Sequence, residues 1–346
     1  MRAAVFESFQ GELQVQQVAD PKVRPDSVVI KVDACGICRS DWHGWMGHDS
    51  DVQLPHVPGH ELAGVVTEVG NDVTRWKHGD RVTVPFCCGC GHCGQCVAGN
   101  QHICDNYMQP GFTAWGAFAE LVEIRYADVN LVTLPESIDS VTAASLGCRF
   151  ATSFRAVIHQ GQVNAGDVVA VHGCGGVGLS AVMIAAAAGA RVIAVDITDE
   201  RLSLAKDCGA DLVLNAAHVE DVPAAIVDAT AGGASLSIDA LGSHQTCANS
   251  ILCLRKRGRH VQIGLTLGSE ADPPIPMSTV IAKELVLYGS HGMQAFEYAP
   301  MLQMIESGRL QPQKLIGSTV SLNEACRILP RMKDFPGSGA TVIDRF

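Results

Sequence analysis

The sequence predicts an α/β protein made of a β-rich part and a doubly wound parallel sheet. Three observations predict it. At 346 residues the chain exceeds what a single core usually needs, which favours two domains. Its first part, up to residue 149, reads as short β-type runs broken by glycine and proline. From Asp167 onward, apolar strand-like runs alternate with alanine-rich helical stretches, the pattern of parallel strands covered on both faces.

In the first part, residues 28–32, 64–69 and 81–84 are expected strands, with Gly79-Asp80 as an intervening turn. In the second, strands are expected at 168–172, 191–195, 212–214, 236–239, 259–263 and 285–288, and helices at 179–188 and 199–208. The tail after Gly289 is short for a core of its own and is expected to pack back onto the first segment. The expected domains are therefore 1–149 with 290–346, and 150–289.

Composition narrows the function classes. Apolar residues at 47% and charged residues at 18% exclude a disordered chain. A net charge of -11 argues against nucleic acid, whose phosphates call for a basic surface. No apolar run is long enough to cross a membrane. The chain has 14 cysteines, and residues 1–8 lack the apolar stretch of a secretory signal. A reducing, cytoplasmic setting is expected, with the thiols serving metal binding, redox chemistry or packing.

Cysteine spacing sharpens that choice. Cys90, Cys93, Cys96 and Cys104 form a C-x2-C-x2-C-x7-C loop rich in glycine. Four thiolates so close can surround one Zn²⁺ and leave no open position, so the ion would staple a loop. An iron–sulfur cluster is the rival reading. Cys87 and Cys88 lie close enough to compete as ligands. A second, dispersed set is Cys38, His60 beside Glu61, and Cys148. Two thiolates and one imidazole leave a fourth position for water or a substrate oxygen, as a catalytic zinc requires.

Gly173-Cys174-Gly175-Gly176-Val177-Gly178 follows an expected strand and opens an expected helix. Asp196 ends the next strand 18 residues after Gly178. The glycines would let a pyrophosphate approach the helix N-terminus, where backbone N–H groups favour anionic oxygens. Asp196 would bind both ribose hydroxyls and repel a 2′-phosphate, so NAD is preferred over NADP; a helix cap is its alternative role. Cys174, beside the expected pyrophosphate, is the thiol whose oxidation is expected to inhibit first.

These motifs occur together and in one order: Gly36-Ile37-Cys38-Arg39-Ser40-Asp41, Gly59-His60-Glu61, the four-cysteine loop, Cys148 and the glycine-rich turn. The sequence resembles the zinc-dependent alcohol dehydrogenases of the medium-chain dehydrogenase/reductase family over essentially its full length. That resemblance implies a GroES-like catalytic domain plus a Rossmann domain, NAD, and two zinc ions per subunit. The implied reaction is reversible oxidation of primary or secondary alcohols to aldehydes or ketones. Other zinc members act on polyols, threonine or aldehyde hydrates; Cys148 argues against the polyol branch, where a glutamate often stands. A homotetramer is implied, with a dimer as the alternative.

Residue by residue, the resemblance makes Cys38, His60 and Cys148 the catalytic zinc ligands, and Glu61 a carboxylate able to approach the metal. Asp41 would accept the second ring N–H of His60. Ser40 resembles the hydroxyl that hydrogen-bonds the substrate alcohol, and His43 the end of a proton relay or else a solvent-facing histidine. Arg39 resembles a pyrophosphate contact and Thr152 a side chain against the nicotinamide. Arg201 would accompany Asp196 at the ribose or be a solvated helix charge. Trp42, Phe86 and Trp115 are candidate pocket walls, with core packing equally open for the two tryptophans. One departure stands out: Ala340 lies where many relatives carry an arginine that reaches the pyrophosphate. Weaker or faster-releasing cofactor binding is one expected result.

Overall fold

Alternating and continuous apolar runs in the first part become strands of one largely antiparallel sheet. In a computed structural model, which describes residues 1–332 and 339–346, the strand Val28–Ile37 pairs with Glu61–Val69, Leu121–Ile124 and Ala340–Arg345. Arg81–Val84 extends the sheet beyond Glu61–Val69, and Ile316–Ser321 lies parallel to Ala340–Arg345. Ile30, Leu62, Val66, Val84, Phe118, Ile124 and Ile343 are fully buried in its core. Register matters for the site: Gly36 lies opposite Glu61. The strand end that leads into Cys38 therefore lies beside the strand start that follows His60.

This unit comprises Met1–Ala151, Gly292–Glu306 and Ile316–Phe346, and a second comprises Thr152–His291 with Ser307–Leu315. Against the expected division at 149/150 and 289/290, Phe150 and Ala151 fall in the first unit, Ser290 and His291 in the second, and the second also takes the segment Ser307–Leu315. For that segment the reason is local packing: its short turn Pro312–Leu315 lies against the helix Gly176–Ala187, where the Gln311 N–H meets Met183 Sδ at 3.4 Å.

In the second unit, strands Val168–His172, Arg191–Asp196, Leu212–Asn215, Ala234–Asp239, Leu254–Gln262 and Val286–Gly289 form one parallel sheet. Numbered along the chain, their spatial order is 3-2-1-4-5-6, the Rossmann order. Ala170, Ile193, Ile226, Ile251 and Leu254 fill the core beneath flanking helices. The fifth strand starts five residues before its expected start at 259, because a register shift carries it through Arg257 at φ +58°. The order reverses between the first and fourth strands, and the glycine-rich turn begins immediately after the first. That is where an open parallel sheet offers a crevice at its strand ends.

Inside this sheet lies a fully buried polar chain. Cys253 Sγ sits 3.7 Å from His172 Nε2 and 3.4 Å from Ser237 Oγ; Ser237 Oγ meets Ser250 Oγ at 2.7 Å, and Ser250 Oγ meets His260 Nδ1 at 2.8 Å. Burial pushes both histidines down to about 4, each opposed by Asp239. An unfolded chain protonates them from pH 6.5 downward while the folded chain does not, so stability present above pH 6.5 is lost as pH falls toward 4. At pH 5 each histidine should cost about 2 kcal/mol. His172 Nδ1 has no hydrogen-bond partner among the described residues, so His172→Leu is mild at neutral pH. Urea melts at pH 7 and 5 should show a pH loss about 2 kcal/mol smaller for the variant. An unchanged loss would mean that His172 does not drive acid sensitivity.

Candidate active site

Two buried ligand sets form in the first unit. The donor atoms of Cys38, His60, Glu61 and Cys148 all lie within 4.8 Å of one another. Cys38 caps the helix Arg39–Met46, His60 precedes the strand Glu61–Val69, and Cys148 lies on the helical turn Leu146–Phe150. Asp41 organises the first two. Its Oδ2 accepts the Cys38 N–H at 2.9 Å, and its Oδ1 pairs with His60 Nδ1 at 2.8 Å and the Gly59 N–H at 3.0 Å. Burial alone would depress the His60 pKa, but the adjoining Asp41 carboxylate outweighs it and leaves the ring raised.

Whether this set suits a metal is decided by His60. The side chain is 0% exposed, one ring nitrogen is held by Asp41, and the other, Nε2, has no hydrogen-bond partner among the described residues. A buried orphan nitrogen beside two thiols is costly unless an ion completes it. Between the thiols, the interaction of Cys38 with Cys148 lowers the Cys38 pKa and raises that of Cys148. The residues suit zinc with an open position, provided Glu61 stays off the metal.

An ion pair absent from the sequence reading holds Glu61. Arg149 grips the carboxylate in a fork: Nε meets Oε1 at 2.9 Å, Nη2 makes a short contact to Oε2, and the Arg149 backbone N–H reaches Oε1 at 3.2 Å. Desolvation raises the fully buried Glu61, and the guanidinium opposes it. Gly36 makes room, since a Cβ there would collide with the carboxylate. Adjacency of Arg149 to Cys148, together with a buried acid needing a counter-charge, was the signal available for it.

The second set is closed. Cys90, Cys93, Cys96 and Cys104 also place their sulfurs within 4.8 Å of one another, with Cys90–Cys96 at 4.0 Å and Cys93–Cys104 at 3.6 Å. One tetrahedral ion with Zn–S bonds of about 2.3 Å has S···S edges of about 3.8 Å, so a set this tight has the dimensions to hold a single ion. Backbone N–H groups of Cys90, Cys93, Cys96 and Asn106 point at these sulfurs at 3.2 to 3.5 Å and favour thiolates. Cys87 and Cys88 stand outside the set: their thiols turn to the Met293 and Pro85 carbonyls.

On the second unit, Gly173 takes φ +91°, and a Cβ on Gly178 would collide with the Gly173 carbonyl. Gly175 caps the helix Gly176–Ala187 without any side-chain bond, and a Cβ there would meet nothing within 4 Å. That exposed N-terminus, lined by Gly175, Gly176 and Val177, can receive anionic oxygens. Asp196 accepts the Cys174 N–H at 2.7 Å and the Ile197 and Thr198 N–H groups at 2.8 and 3.0 Å, with Arg201 3.9 Å away. The carboxylate thus ties the turn to the second strand's end and holds the two residues that lead into the following helix.

Comparison with known proteins decides the family. Residues 24–136 match the model of the alcohol dehydrogenase GroES-like domain, and residues 176–307 that of the zinc-binding dehydrogenases. The chain is 35% identical over 314 residues to an alcohol dehydrogenase of Geobacillus stearothermophilus, covering 90% of each. It is 32% identical to an NAD-dependent alcohol dehydrogenase of Saccharolobus solfataricus, covering 99% of each. The solved alcohol dehydrogenase TADH from Thermus sp. ATN1 superposes with a TM-score of 0.91 at 30% identity over 100% of both chains. The chain belongs to the zinc-type medium-chain alcohol dehydrogenases. It is an alcohol oxidoreductase with a GroES-like domain and a Rossmann domain.

Within this family frame, the remaining expected residues distribute unevenly. Phe86 and Phe112 both meet the His60 ring edge-on, with centroids 6.1 and 5.4 Å away; no sequence motif marks Phe112. Ser40 Oγ stands 3.9 Å from Cys38 Sγ. Arg39 stacks over the buried Trp42 ring at 4.9 Å. Trp115 is 38% exposed and donates to the Pro55 carbonyl at 3.0 Å, and among the described residues no hydrogen bond or ring contact joins it to the ligand set. Thr152 is buried at the start of the second unit. Ala340 is buried on its strand opposite Ile316 and supplies no charge.

One expectation is overturned. Cys174 was expected to be the thiol most open to inhibitory oxidation; it is 0% exposed, and its Sγ turns inward to the Val195 carbonyl at 3.7 Å. Burial, reinforced by Asp196, pushes the thiol up to about 12. Reactive cysteines need thiolate and access, and Cys174 lacks both.

Proposed function

We propose that this alcohol dehydrogenase uses NAD and two zinc ions per chain to oxidise primary or secondary alcohols reversibly to aldehydes or ketones. The observation that carries the reading is the buried donor set of Cys38, His60 and Cys148, with the His60 Nε2 left unpartnered and Glu61 held aside by Arg149. Zinc bound there would act as a Lewis acid toward the substrate oxygen. Asp41 holds the imidazole in the tautomer that presents Nε2. Ser40 accepts and hands on the alcohol proton, and His43 receives it at the far end of the route. Phe86 and Phe112 supply an apolar, water-excluding wall, which suits aliphatic or benzylic alcohols; Trp42 is assigned to the same pocket.

The cofactor's pyrophosphate is assigned to the N-terminus at Gly175 to Gly178, with Arg39 as a further contact and Thr152 beside the nicotinamide. Asp196 and Arg201 take the adenosine ribose, and the carboxylate disfavours a 2′-phosphate. A cytoplasmic homotetramer completes the reading. The edge strand Val286–Gly289, where Val286 is 41% exposed, supports pairing with another copy. A panel of primary, secondary and benzylic alcohols, a polyol and threonine, each with NAD and with NADP, tests it. Turnover of simple alcohols with NAD is expected. Turnover confined to the polyol or threonine, or to NADP, would refute the substrate or cofactor assignment.

A further inference from the structure

The helix Arg39–Met46 ends in a way that fixes two histidines against each other. Gly47 takes the left-handed conformation at φ +81°, which glycine adopts without penalty. The chain reverses there, so that the His48 N–H donates to the His43 carbonyl at 3.0 Å and the Gly47 N–H to the Gly44 carbonyl at 3.1 Å. His43 Nδ1 then stands 3.0 Å from His48 Nδ1. Trp42 braces both rings edge-on, with centroids 4.9 and 5.8 Å away. His43 is half-buried, and His48 is exposed.

Two imidazole Nδ1 atoms at this distance can bond only when one carries a proton and the other is bare. The contact therefore holds one proton between the rings. When His43 takes a proton at Nε2, the N–H bond at its Nδ1 breaks and that proton bonds to His48 Nδ1. His48 then releases its own Nε2 proton to water: one proton enters the pair and one leaves. Charge does not rest on His43, because burial, then Arg39 and His48, push it down to about 4 against the opposing Cys38.

We propose that His48 extends the proton route, taking the proton that leaves His43 and delivering it to solvent. The proposal rests on the reading of His43 as the relay histidine. His48→Phe keeps a ring against Trp42 and removes both nitrogens; His48→Gln removes the ring as well. With zinc-loaded protein, NAD and a primary alcohol at pH 7, both variants should lose about tenfold in kcat, short of the roughly 10²-fold from a directly acting acid–base group. KM should hold, and added imidazole should restore the rate. In cofactor-free protein, ring ¹⁵N shifts of His43 should change in His48→Phe, reporting the broken contact. Wild-type kcat in both variants, a loss that imidazole leaves unrepaired, or unchanged His43 shifts would each overturn the proposal. A wild-type protein that turns over no alcohol would instead sink the dehydrogenase reading itself, while the ¹⁵N shifts still report the pair.

Discussion

Replacing Cys38 by serine is expected to abolish alcohol-dependent NAD reduction while leaving the protein folded. Cys38 supplies one of the three donors around the open position, and its backbone N–H, which survives the change, still bonds Asp41 at 2.9 Å. The local scaffold is therefore retained while the metal set is broken. Lewis-acid assistance is worth several kcal/mol, so the rate should fall roughly 10³-fold or more. Cys93→Ser should behave in the opposite way. Its sulfur closes a loop rather than a reaction site, and it accepts the Cys96 N–H that starts a helical turn. Thermal stability should fall first, with turnover per folded molecule near wild type. Steady-state rates and melting curves of the two variants check both halves. Undiminished turnover in Cys38→Ser would refute the open-site assignment.

Arg149→Met is expected to be the most destabilising single change at the site. Glu61 is fully buried, and the Arg149 side chain is 12% exposed. Removing the guanidinium leaves an uncompensated buried carboxylate, a loss of about 3–5 kcal/mol. Replacing both partners by apolar groups is far milder than removing one, so Glu61→Leu in the Arg149→Met background should recover much of the loss. Denaturant unfolding of the two single variants and the double closes this cycle. Additive losses would show that the fork between Arg149 and Glu61 does not hold this corner together.

How much of this was legible depended on whether the signal was local. The C-x2-C-x2-C-x7-C loop and the glycine turn with Asp196 are short-range patterns, and the chain folds them into the ligand cage and strand–turn–helix they suggest. The three-residue open set was legible only because several motifs agreed. What brings Cys38 to His60 is the pairing of Gly36 with Glu61 across two strands. The Glu61–Arg149 pair spans 88 residues and has no periodicity to betray it. Cys174 differs from its expected exposure for a geometric reason: the turn exposes its backbone at Gly175, while this side chain faces into the sheet. The His43–His48 contact was half-written in the Gly47 stop signal, but ring orientation follows only once Trp42 is in place.

Metal content per chain tests most directly the proposal that one closed and one open zinc site share the first unit. After dialysis to remove loosely held ions, elemental analysis of the wild-type protein should give two zinc ions per chain, and Cys38→Ser should give one. A wild-type value of one that Cys38→Ser leaves unchanged would contradict the account, because the cage of Cys38, His60 and Cys148 would then hold no metal.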